Sequence, residues 1–190
     1  MASHIALEEA GAKFEAIRLD LRQGEQNKPE FLAINPKHKV PTLVLDDGKV
    51  LTENPAIISY AADTHPAAKL LPPVGDFARA HAQEWLAWCA SSVHISFGPL
   101  FGAMSKGGAD ETQRAAVQAN LDRFDGWLAG KKFVLGEQFS GADCYTLVFY
   151  NWARLFKLNI GENMKTSVRA LIERPGVQRM LHTQNVKVEV

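Results

Sequence analysis

The feature that most constrains this chain is a change of pattern at Pro72-Pro73. Before it, short segments alternate in character and are punctuated by glycine and proline. After it, apolar residues recur at three- and four-residue spacing. Val117, Leu121, Phe124 and Leu128 form one such stripe, and Ala142, Tyr145, Phe149, Trp152 and Phe156 form another. That spacing places each set on one side of an α-helix. Arg174-Pro175 interrupts the last helical stretch. The reading is a small α/β domain over residues 1–69, a proline-bearing linker over 70–76 and an all-helical domain over 77–190.

In the first part, residues 3–10 read as a helix closed by Gly11 in a left-handed cap. Phe14 to Leu21 alternates charged and apolar side chains, the pattern of a half-buried strand. Pro29 to Ile34 suits one or two helical turns. Thr42–Leu45 and Lys49–Leu51 flank Asp46-Asp47-Gly48, which is a hairpin signal with glycine where positive φ is needed. Asn54 then suits a helix N-cap with Pro55 at the first helical position, so a helix is expected to run to about Ala62. Downstream, Ser140 to Asp143 has the form of a capping box with Asp in place of the usual Glu.

Composition narrows the function. Lysine plus arginine and aspartate plus glutamate each total 21, so there is no basic excess for nucleic acid. No apolar run approaches the ~20 residues that a membrane-spanning helix requires. The start lacks the basic and apolar regions of a secretory leader. Cys89 and Cys144 lie on apolar helical patterns and read as small packed hydrophobes, a usage that fits a reducing cytoplasm. The six histidines are scattered without ligand spacing, so no metal is expected.

Four segments together resemble the glutathione S-transferases, and the bacterial beta class most closely. They are Asn35-Pro36-Lys37 with Val40-Pro41, Leu51 through Ile57, Phe97 through Phe101, and Phe139 through Asp143. Their order and spacing agree with the family from about residue 2 to beyond Pro175. The resemblance implies a thioredoxin-like domain followed by a helical domain, assembled as a cytoplasmic homodimer. It also implies glutathione as co-substrate, conjugated to small, mostly apolar electrophiles in detoxification. In the family, a first strand and a loop with a catalytic cysteine or serine precede the helix that begins here at Ala2 or Ser3. About ten residues of the family pattern therefore lie outside this sequence, and the thioredoxin-like domain is incomplete as given.

The family's ligand offers two carboxylates, an ammonium, a peptide backbone and a thiol. The resemblance makes Val40-Pro41 a cis pair whose backbone pairs with the ligand as a strand does. An ordinary turn with a trans proline is the alternative. The helix start at Asn54 would seat the γ-glutamyl carboxylate, and Glu53 would meet the ammonium. The plainer alternative is that Glu53 complements the helix dipole and Asn54 caps. His94 matches a histidine placed near the glutathione sulfur, and Ser91 matches a hydroxyl position beside it. Ala87, Ser91 and His94 share a helix face by spacing, although His94 could equally be structural. Two positions depart from the beta-class pattern, Ala87 in place of asparagine and Ile95 in place of lysine. Ser3 and His4 fall inside the first helix and read as cap and packing. A non-enzymatic binding or interaction module on the same fold is the competing function, with Trp85, Trp88 and Phe97 to Phe101 as possible lining of an apolar pocket. A thioredoxin-like oxidoreductase is disfavoured by the lack of Cys-x-x-Cys.

Overall fold

The computed structural model describes residues 1–104, 108 and 110–190. Helix α1 (Ala2–Ala10) buries Ala2, Ser3, Ile5 and Ala6 and ends at Gly11, whose φ of 68° is the left-handed cap expected from sequence. Its acidic face meets the far end of the chain. Glu9 pairs with Arg174 at 2.5 Å and Glu8 with Arg179 at 2.6 Å.

Residues 12–20 correct one expectation. They have the alternation of a strand but belong to no ladder: the sheet contains only two strands among the described residues, and neither pairs with them. Alternation reports which side chains could face a core; a strand also needs a neighbour to bond. Two short 3₁₀ turns (Leu21–Gln23 and Glu25–Asn27) and helix α2 (Pro29–Leu32) follow.

Strands β1 (Thr42–Val44) and β2 (Val50–Thr52) pair antiparallel, with Leu43 opposite Leu51. The connecting turn needs Gly48, whose φ is 81°. Helix α3 (Asn54–Thr64) turns Ile57, Ile58, Ala61 and Ala62 into the core.

After the Pro72-Pro73 segment, Asp76 caps α4 (Phe77–Trp88) by accepting from Ala78 N–H at 2.9 Å. A π-helical turn over Cys89–Val93 interrupts this helix before α5 (His94–Ser96) and α6 (Gly98–Ala103). Helix α7 (Glu111–Leu128) buries Val117, Leu121, Phe124 and Leu128, the stripe read from sequence. At about 1.5–3 kcal/mol for each large apolar side chain buried, such a stripe fixes where the helix docks.

The capping box before α8 (Cys144–Leu155) is present, and it is wholly internal. Asp143 accepts from Val134 N–H at 2.6 Å, from Ser140 N–H at 2.8 Å and from the Ser140 hydroxyl at 2.9 Å. Burial nevertheless pushes its carboxyl up to about 6. Gly141 lies so close to Ile58 of α3 that a Cβ would collide with it, which ties this turn to α3. Helix α9 (Glu162–Ile172) ends just before Arg174-Pro175, and α10 (Pro175–Gln184) returns along α1. Cys89 and Cys144 are buried free thiols, and burial pushes both well above the usual thiol range.

Candidate functional site

The loop between α2 and β1 is organised by a buried amide. Asn35 is 1% exposed. Its Nδ2 donates to the Lys39 carbonyl at 2.6 Å and to Thr42 Oγ1 at 2.9 Å, while its Oδ1 accepts from Lys37 N–H at 3.1 Å. One side chain thus satisfies three groups of a loop that has no ladder of its own. The loop presents Val40-Pro41, whose peptide bond is cis. Val40 is exposed, and among the described residues its backbone N–H and carbonyl have no hydrogen-bond partner.

Glu53 follows β2 with φ of 72° and ψ of 126°, a left-handed backbone that non-glycine residues rarely adopt. Such conformations persist where neighbours over-determine them. The Glu53 carboxylate is exposed and lies 3.6 Å from Lys37 Nζ, and that ammonium also donates to Thr52 Oγ1 at 2.9 Å. Asn54 does not cap its own helix as the sequence suggests; Glu53 occupies the cap position and Asn54 is the first helical residue. Its Oδ1 is taken instead by Ser3, accepting from the N–H at 3.1 Å and the hydroxyl at 2.6 Å. The first backbone N–H groups of α3 remain directed out of the helix end, as at any helix N-terminus.

On the helical side, His94 packs against α8. Its ring sits edge-on to Trp152 at 4.7 Å and to Tyr145 at 6.3 Å. Burial holds its imidazole below the ordinary value; Glu53 opposes that shift and Lys39 adds to it. His94 is therefore neutral at neutral pH, with one ring nitrogen to donate and one to accept.

The hairpin register, with Thr42 opposite Thr52, sets Val40-Pro41 beside Glu53 and Asn54. Val40-Pro41 belongs to the same Asn35-anchored loop as Lys39. Ser91 is not drawn in: it is exposed and only a 3.5 Å contact with the Ser92 hydroxyl engages it. The single-face argument for Ala87, Ser91 and His94 assumed a continuous α-helix. The π turn between Trp88 and His94 bonds i to i+5 and shifts that phase. Trp85 and Trp88 pack with Phe124 and Trp127. Phe97 is fully buried against Phe149, whereas Phe101 is partly exposed beside Trp152 at 5.0 Å.

Sequence reasoning missed Tyr145 and Trp152 as the walls around His94, reading them as core stripe. It also missed the buried Asn35 bonds. The only signal for the latter was an asparagine before proline in a polar loop.

Comparison with known proteins gives a consistent result. Residues 1–63 match the glutathione S-transferase N-terminal domain and residues 89–175 the glutathione S-transferase C-terminal domain. The chain is 36% identical over 190 residues to glutathione S-transferase GstA of Escherichia coli O157:H7, covering 98% of this chain and 94% of that protein. Among solved structures, the bacterial enzyme BphK, in a ternary complex, superposes with a TM-score of 0.88 at 34% identity, covering 97% of this chain and 94% of that one. A sphingomonad glutathione S-transferase complexed with glutathione gives 0.86 at 34%, covering 98% and 94%. The beta-class enzyme of Sphingomonas chungbukensis gives 0.87 at 34%, again covering 98% and 94%.

Proposed function

The chain belongs to the glutathione S-transferase family, and from that premise we propose that glutathione lies along Val40-Pro41 with its γ-glutamyl end at the start of α3. The protein has the family's fold and is a glutathione transferase. The observation that carries the site reading is the hairpin register, in which Thr42 pairs with Thr52 and so sets the cis Val40-Pro41 pair beside Glu53 and the start of α3. In this arrangement the unpartnered backbone groups of Val40 bond the ligand's peptide unit as a strand would. The α-carboxylate accepts from the free N–H groups of α3, and the Glu53 carboxylate takes the ammonium.

The sulfur then lies towards His94. The neutral imidazole stabilises the thiolate by donating a hydrogen bond. The thiolate attacks an electrophilic carbon: a carbon–sulfur bond forms, the leaving group departs with its electron pair, and the thiol proton passes to solvent. Phe101, Trp152 and the exposed Ile95 supply apolar surface for a small electrophile. Ser91 contributes at most at the margin. The same reading divides the chain at the linker 70–76, uses the chain as a cytoplasmic homodimer in detoxification, and leaves Val74 and Phe77, 80% and 83% exposed, as apolar surface that a second copy would cover.

Thermal unfolding with and without millimolar glutathione tests the binding part, since a ligand of the folded state must raise the transition by mass action. A glutathione-dependent rise, with turnover of a model aryl halide, is the expected result. A rise without turnover would favour a non-enzymatic module, and an indifferent transition would overturn the site.

A further inference from the structure

Ser3 is the second residue of α1, 4% exposed, in a helix that packs against α3. A serine in a helix commonly bonds its own backbone or water. Here the hydroxyl donates instead to Asn54 Oδ1 at 2.6 Å, and the Ser3 backbone N–H donates to the same oxygen at 3.1 Å. Alanine would fill this place with better helix propensity and no polar group to satisfy. The hydroxyl is therefore the feature to explain.

The pair joins the first turns of two helices. The first N–H groups of α1 have no partner within their own helix, and Met1 at the cap position gives them no side-chain bond. Asn54, the first residue of α3, supplies that cap from outside. A backbone N–H can only donate, so the atom facing Ser3 is the amide oxygen, and the orientation of the Asn54 side chain is settled by it. Asn54 follows directly on Glu53, whose left-handed backbone needs fixed neighbours to persist. One buried serine thus anchors, from 51 residues away in the chain, the residue at which α3 opens.

We propose that Ser3 is a positioning residue for glutathione: through its bonds to Asn54 it holds the opening turn of α3 and the Glu53 backbone in the arrangement that receives the γ-glutamyl end. This rests on the site proposed above. Ser3 is buried behind Asn54 and takes no part in the bond changes. Its effect is therefore on the occupancy of the glutathione site rather than on the chemical step.

The test is Ser3→Ala, which removes the hydroxyl and keeps the helix. Calorimetric titration with glutathione should show binding weakened about three- to tenfold, the worth of one neutral hydrogen bond. KM for glutathione should rise by the same factor, with kcat at saturating glutathione and KM for the electrophile each within about twofold. Asn54→Ala breaks the same pair from its half-buried partner and should weaken glutathione at least as much. Adding Ser3→Ala to it should cause no further loss. Unchanged glutathione affinity in either variant, whatever the unfolding temperature does, would mean that the pair is only structural, and would overturn the inference. So would a full, additive loss in the double variant, or a fall in kcat matching the rise in KM. Failure of the unaltered protein to bind glutathione would instead remove the proposed site itself, and this inference with it.

Discussion

Residues 12–53 and helix α8 are held in place by different forces. Between residues 12 and 53 only Asn35 is buried, and order comes from local polar bonds: Asn35 to its own loop, Asp20 to the turn at Arg22 and Gln23, and a three-residue ladder in the hairpin. In α8, Cys144 through Tyr150 are all buried, and the helix start is pinned by the internal Asp143 box. The first region carries most of the proposed glutathione contacts and the second carries the core. Segments with few buried apolar contacts open at low free energy, which suits a surface that must admit and release a ligand. Stability and binding should accordingly be separable by mutation.

The largest effect is expected at the core end. Asp143→Ala leaves Val134 N–H and Ser140 N–H unpaired and buried, and should cost about 3–5 kcal/mol in denaturant unfolding. Its pH dependence has a definite sign. The folded-state pKa of Asp143 is raised from 3.8 to about 6, so the folded protein binds the extra proton. The contribution of Asp143 is full below about pH 4 and is lost as pH rises to about 6. The difference between wild type and Asp143→Ala should therefore narrow over that interval. A difference that widens there would show that the hydrogen bonds to the carboxylate outweigh the cost of its burial.

An intermediate effect is expected at Asn35. Asn35→Ala frees the loop that presents Val40-Pro41, and should weaken glutathione about tenfold while lowering the unfolding midpoint by only a few degrees. A midpoint loss matching that of Asp143→Ala would break the comparison, because it would show the hairpin side to be part of the cooperative core. The smallest effect is expected at Lys37. It and Glu53 are both more than half exposed, and exposed pairs contribute little. Lys37→Ala should change stability by less than about 0.5 kcal/mol and glutathione affinity by less than about threefold, measured by denaturation and titration. A larger loss of affinity would give Lys37 a direct part in the site.

Where the chain is held by one-sided burial, its structure was legible in the sequence. The α7 stripe, the Ser140–Asp143 box, the Gly11 cap and the turn at Gly48 follow from spacing and from residue types with few conformational alternatives. Where a residue's partner is distant in sequence, local rules misled. Asn54 is a good N-cap by type, yet its oxygen is claimed by Ser3 on a different helix. Phe14–Leu21 alternates like a strand, but alternation cannot supply a neighbouring strand. The π turn at Cys89–Val93 leaves no local signature and displaces the Ser91 phase. Val40, Pro41, Glu53 and His94 entered through resemblance. The structure adds the unpartnered Val40 backbone, the Glu53 conformation and the aromatic walls of His94.

Hydrogen exchange followed with and without glutathione tests the separation of core from site most directly. The account predicts slow exchange throughout α8 in both states. It predicts fast exchange over residues 12–53 in the free protein, with glutathione slowing the amides near Val40 and at the start of α3 while leaving α8 unchanged. Equal protection of the two regions in the free protein, or slowing confined to α8 when glutathione is added, would contradict it.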